Sequence, residues 1–141
     1  MNLRNSCYLN STLRCLSQCH YLSNYLGISS RSDRKLNIDD QGRKMELVLP
    51  EGGPITTSFC GLLKQMQTPG TTAIVSPNDL LRNISMEVPH FLGCDQQGAH
   101  ELLRTLLEQV RSEDLRRHQQ QIMRIWVVCR LKQSLNRYRK S

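Results

Sequence analysis

The sequence predicts a mainly α-helical fold, and three observations lead there. Apolar residues recur three and four apart in four separate stretches, the spacing that lines one face of a helix. Turn-forming residues gather between those stretches, at Gly52-Gly53-Pro54 and Pro69-Gly70. No glycine or proline occurs after Gly98, so helix is free to persist, with breaks, almost to the end.

Residues 7–18 contain no glycine or proline and one charge, Arg14. Leu9, Leu13 and Leu16 share a face, with Tyr8, Thr12, Cys15 and Cys19 on an adjoining stripe. This predicts a largely buried helix whose N-terminus opens on a cleft. Residues 21–26 predict a short second helix that stops at Gly27. Residues 29–54 are polar and rich in turn signals, and they read as an exposed connection, with Met45-Glu46-Leu47-Val48-Leu49 as one brief extended piece. Phe59, Leu62, Leu63 and Met66 predict a helix over 55–67. Ser76 is suited to cap the next helix, with Pro77 in its first turn and Leu80, Leu81, Ile84 and Met86 on its apolar side. That helix should end before Pro89. Asp95 is placed to cap a long final helix faced by Leu102, Leu103, Leu106, Leu107 and Val110.

The 141 residues suffice for one domain with a modest core. The net charge of +7 is unevenly placed. Residues 1–110 hold ten Lys/Arg and ten Asp/Glu and sum to zero, whereas 111–141 hold nine Lys/Arg against Glu113 and Asp114. The body is therefore no basic nucleic-acid module. No apolar stretch reaches membrane-spanning length, and the N-terminus lacks a signal pattern. The six cysteines show no pairing framework, so reduced thiols in cytosol or nucleus are the expectation.

The chemistry concentrates at the start. Asn2-Leu3-Arg4-Asn5-Ser6-Cys7 is a polar turn leading into the first helix, with Ser6 as a natural N-cap. Cys7 then stands at the positive end of the helix dipole, which favours the nucleophilic thiolate. The Asn2 amide, five residues earlier, either serves the turn or folds back to donate to a developing oxyanion.

These residues carry a resemblance. Asn2-Leu3-x-Asn5-Ser6-Cys7-Tyr8-Leu9-Asn10-Ser11-Thr12-Leu13-x-Cys15-Leu16 resembles the cysteine box of the ubiquitin-specific proteases, papain-like cysteine deubiquitinases. The resemblance implies that Cys7 is the nucleophile and that Asn2 lines the oxyanion hole. Arg4 departs from the family's glycine. A second block, Phe91-Leu-Gly-Cys-Asp95-Gln96-Gln97-Gly98-Ala99-His100-Glu101-Leu102-Leu103, is similar to the family's second signature helix. By that likeness Asp95, Gln96, Gln97, Gly98 and Glu101 border the channel for ubiquitin's tail. Gly98 stands where the family has an aspartate that pairs with the basic tail. Residues 55–107 look closest to the branch with an extra zinc-finger ubiquitin-binding domain, whose members are implicated in histone deubiquitination.

The resemblance also implies a histidine and an orienting Asp or Asn from a later Gly-His-Tyr block, and none occurs here. His20-Tyr21 is a partial look-alike, but thirteen helical residues would set His20 roughly 20 Å from Cys7. His100 falls on the packing helix. Cys15, Cys19 and His20 have metal-like spacing, with packing as the favoured reading, and the family's paired Cys-x-x-Cys zinc ligands are absent. No cofactor is implied.

Residues 1–121 thus read as the helical thumb half of an α+β papain-like protease domain, truncated before its sheet-rich half. As it stands it should have little or no turnover. The alternative is a non-catalytic module that binds ubiquitin, a ubiquitinated protein or another partner. Residues 122–141 do not align to the family pattern. They form a basic amphipathic run able to bind calmodulin or an anionic membrane, and more often such a run is a helix with one face docked.

Overall fold

The computed structural model describes residues 7–40, 42–70, 75–89 and 98–139, with the backbone alone for Cys7, Tyr8, Asp40 and Arg43. Among the described residues, five helices and one hairpin follow each other in the order α1 (Cys7–Ser17), α2 (His20–Ser29), β1 (Arg34–Asp40), β2 (Arg43–Leu49), α3 (Pro54–Gln67), α4 (Asn78–Glu87) and α5 (Ala99–Tyr138). The fold is mainly α, as the apolar spacing predicts.

α1 forms because Leu9 and Leu13, one turn apart, are both buried in the core. It closes with a tightened turn in which the Gln18 and Cys19 amides donate to Cys15 and Leu16 carbonyls. α2 does not stop at Gly27 but runs on to Ser29. An interior glycine costs a helix about 1 kcal/mol. Here Leu26 and Ser29, on either side of it, are buried, and packing overrides the local preference.

The stretch read from sequence as an exposed connection holds an antiparallel hairpin, whose second strand contains the extended piece expected at Met45–Leu49. Leu36 pairs with Leu47 and Ile38 with Met45. Leu47 and Leu49 are buried, whereas Glu46 and Val48 are exposed, the alternation of a strand with one covered face. Gly42, at φ 84°, supplies the left-handed residue of the turn, and its amide donates to Asp39 Oδ1 at 3.0 Å. Lys35 pairs with Glu46 across the strands at 2.8 Å, which holds the ammonium above its ordinary pKa.

α3 is the centre of the molecule. Ile55, Phe59, Leu62 and Leu63 are buried against α1, α4 and α5 in one cluster with Leu9, Leu13, Leu80, Ile84, Leu102 and Leu106. α4 begins at Asn78, so Pro77 rather than Ser76 stands at its N-cap, and it brings no capping side chain. Leu80 and Ile84 are buried, but Met86 is three-quarters exposed, since it falls off the face that meets α3. The helix ends at Glu87 ahead of Pro89.

α5 is one helix of 40 residues without a break, about 60 Å long. It begins at Ala99 after Gly98, and Asp95, expected as its cap, lies outside the described residues. Leu102, Leu106 and Val110 are buried, Leu103 is partly covered and Leu107 is nearly half exposed. Midway, α5 clasps the junction between β2 and α3. Glu113 accepts from the Ile55 and Thr56 amides and the Thr56 hydroxyl. Buried Arg117 donates to the Pro50 carbonyl at 3.1 Å and is paired with Asp114 at 2.8 Å.

Candidate active site

The site is built where α1 meets the first turns of α5. Leu9 and Leu13 of α1 share the core with Leu102 and Leu106 of α5. Above this seam a groove of about 290 Å³ runs between Ser11, Thr12 and Cys15 on one side and Ala99, His100 and Leu103 on the other. Two stretches far apart in sequence are thus brought side by side, because both helices turn leucines toward α3.

Cys7 is the first helical residue of α1. No acidic residue occupies the first turn, so the helix dipole there is uncompensated by α1 itself. The thiol, Asn2, Arg4 and Ser6 lie outside what is described. Of the five residues expected to border a tail channel, Asp95, Gln96 and Gln97 also lie outside. Gly98 occupies the N-cap position of α5 with extended backbone and no side-chain cap, and a Cβ there would meet nothing within 4 Å. Glu101 is exposed in the first turn. One turn on, Arg104 bonds Glu108 at 2.8 Å; that bond, with a smaller pull from Glu101, raises the guanidinium above its ordinary pKa.

The described histidines divide clearly. His100 is exposed at the groove. His20 is exposed at the start of α2. His118 sits 2.6 Å from the Asp114 carbonyl oxygen, within the clasp on the β2–α3 junction. Cys15 and Cys19 are exposed as well, so the reading that packing explains Cys15, Cys19 and His20 is corrected. They fall on the outer side of α1 and of the turn that ends it, while Leu9 and Leu13 take the core. Among the described residues no three His, Cys, Asp or Glu side chains gather as a metal site.

A larger cleft, about 750 Å³, opens on the other flank of α1 toward α3, where Asn10, Arg14, Gln18 and Gln65 line it. It carries no described thiol–histidine pairing, and the smaller α1–α5 groove is the one that joins the two signature stretches. Sequence reasoning missed the Glu113–Arg117 clasp. Its one available signal was that Glu113 and Asp114 are the only acids in an otherwise basic segment.

Comparison with known proteins agrees with this arrangement. The family profile described as ubiquitin carboxyl-terminal hydrolase matches residues 1–138, so the match runs on into the segment that the sequence pattern left unaligned. The chain is 34% identical over 134 residues to ubiquitin carboxyl-terminal hydrolase 16/45 of Drosophila melanogaster, covering 86% of this chain and 12% of that protein. It is 30% identical over 127 residues to human ubiquitin carboxyl-terminal hydrolase 45, covering 87% of this chain and 16% of that protein. To human ubiquitin carboxyl-terminal hydrolase 15 it is 34% identical over 116 residues, covering 82% and 11%. It therefore spans a small part of the length of these relatives. With the profile spanning both signature stretches and their described parts packed together, the chain belongs to the ubiquitin carboxyl-terminal hydrolase family.

Proposed function

We propose that this chain is the nucleophile-bearing helical part of a cysteine-type ubiquitinyl hydrolase, an enzyme that cleaves the isopeptide bond after ubiquitin's C-terminal glycine. The observation that carries the reading is the packing of the helix opened by Cys7 against the first turns of α5. In this reading the Cys7 thiolate attacks the glycine carbonyl carbon. A C–S bond forms, the carbonyl electron pair moves to oxygen, and the Asn2 amide donates to that oxyanion. Collapse expels the lysine amine, which takes a proton as it leaves, and water then hydrolyses the thioester. Asp95, Gln96, Gln97, Gly98 and Glu101 border the incoming tail.

The proton transfers need a base, and the chain holds no Gly-His-Tyr block. Loss of a triad member costs orders of magnitude in rate, so the chain alone has little or no turnover. Its partners in this reading are ubiquitin or ubiquitinated proteins, met in cytosol or nucleus.

A C-terminal fluorogenic amide of ubiquitin tests this. The expected result is at most one product per chain, with none from Cys7→Ser. Repeated turnover by the chain alone would contradict the inactive-alone part. Arg4 and Gly98, which both depart from the resemblance at functional positions, favour a second reading, a non-catalytic module that binds ubiquitin or another partner weakly. Titration of isotope-labelled ubiquitin separates the two. Binding without any Cys7-dependent product supports the module, and no shifts at roughly millimolar concentration would remove both readings.

A further inference from the structure

Past Arg117, α5 leaves the core but stays apolar on two opposite sides. Val128, Leu131 and Leu135, in steps of three and four, share one side and are 49%, 59% and 68% exposed. Leu115, Ile122 and Trp126, in steps of seven and four, share the other side, and each is about half exposed. The hairpin meets the helix between the two stripes, where Met45 and Glu46 line a groove of about 380 Å³ with Ile125, Cys129 and Lys132. Neither stripe is therefore buried by the described residues. Each stripe has cations along one border. Arg130 and Arg137 run beside Trp126, and Arg130 stacks over its ring, 4.6 Å from the centroid. Lys132 and Arg139 run beside Val128 and Leu135. Residues 115–139 carry no side-chain carboxylate, so this half of the helix holds charge of one sign. Glu46 in the hairpin groove is already paired with Lys35 at 2.8 Å.

A helix that is apolar on opposite sides is suited to being surrounded rather than laid on a surface. We propose that residues 115–139 of α5 are the target helix of a two-lobed acidic protein of the calcium-sensor class, which clasps both stripes at once. Calcium opens each lobe of such a sensor and exposes a Met-rich apolar groove. Two such grooves with carboxylate rims would cover both stripes and meet both sets of cations. The hairpin holds only the sector between the stripes, so the clasp closes from the opposite side. A bilayer or a single groove would cover one stripe and leave the other in water. A second copy would set cations against cations. The inference stands apart from the thiol chemistry, since none of these residues belongs to the α1–α5 groove.

The test titrates the full chain into fluorescently labelled calmodulin as the probe, one free of tryptophan, with calcium and with a chelator. Anionic phospholipid vesicles and sedimentation of the chain alone complete the set. The expected result is saturable binding in calcium and none in chelator, weakened several-fold by roughly 0.5 M salt. Emission from Trp126, the one tryptophan, should move to shorter wavelength as its stripe is covered. Trp126→Gln and Leu131→Gln, one on each stripe, should each weaken binding at least about tenfold. Both positions are exposed, so the helical circular dichroism should not change. Absence of calcium-dependent binding at about 10 μM overturns the proposal. So does loss in one variant with full retention in the other, which would mean that a single side is bound. Vesicle binding or dimerisation without calmodulin binding assigns the helix to lipid or to a second copy and overturns it too.

Discussion

The carboxylate of Glu113 accepts the Thr56 amide at 2.8 Å and the Thr56 hydroxyl at 2.7 Å, with the Ile55 amide on its other oxygen at 2.9 Å. The N-terminus of α3 is thus capped by a side chain from α5. Pro54 opens that helix and Gly53 precedes it, and neither brings a capping group. The approach is close enough that a Cβ on Gly53 would run into the carboxylate. This contact ties the helix at the centre of the core to the helix that borders the candidate site.

Glu113→Ala should therefore cost more than a surface substitution. It leaves two amide donors and a hydroxyl of a helix end without their acceptor, and each unsatisfied group costs about 1–3 kcal/mol. A total loss of roughly 2–4 kcal/mol is expected, given partial rescue by water. Urea unfolding followed by circular dichroism measures it. An unchanged midpoint would show that the clasp contributes nothing.

Leu106 and Leu107 give a paired test of the α5 interface. Leu106 is fully buried and Leu107 is nearly half exposed. Leu106→Ala should cost about 2–5 kcal/mol, and Leu107→Ala should cost under about 1 kcal/mol. Equal losses would mean that the helix is rotated from the orientation described.

Gly98→Asp should stabilise the chain. The position precedes α5, its backbone is extended, and there is room for a side chain. Capping by aspartate in place of glycine contributes a few tenths of a kcal/mol, and its charge at the dipole about 0.3–1 kcal/mol more. Thermal unfolding should shift upward. In the ubiquitin titration the same variant should bind more tightly, because it puts a carboxylate at the position proposed to border ubiquitin's basic tail. A lower melting temperature would contradict the capping geometry.

Much of the helical layout was legible in the residues. The leucines of α1, α3 and α5 recur at helical spacing without competing signals, and those helices form where the spacing puts them. Of the hairpin, the extended piece Met45–Leu49 was legible and falls within β2; its partner was not, because β1 contributes only Leu36 and Ile38 as apolar residues among charges, and its pairing is set by β2 and the turn at Gly42. The extension of α2 through Gly27 was hidden for a similar reason: burial of Leu26 and Ser29 decides it, and burial is a tertiary property. The cap on α3 comes from a residue 58 positions away from Ile55, which no local pattern announces.

At the site, the leucine spacing announced α1, and the family resemblance implied that the helix after Gly98 lies against it. Sequence reasoning misjudged Cys15 and Cys19, which are exposed. Their stripe adjoins the leucine face, and spacing alone does not say how wide a buried sector is.

The most direct test is to react the chain with ubiquitin bearing a C-terminal electrophile and to map the adduct by peptide mass spectrometry. Cys7 should be labelled well ahead of the exposed Cys15, Cys19 and Cys129, and Cys7→Ser should abolish the adduct. Labelling of Cys15, Cys19 or Cys129 as fast as Cys7, or an adduct that survives Cys7→Ser, would contradict the assignment.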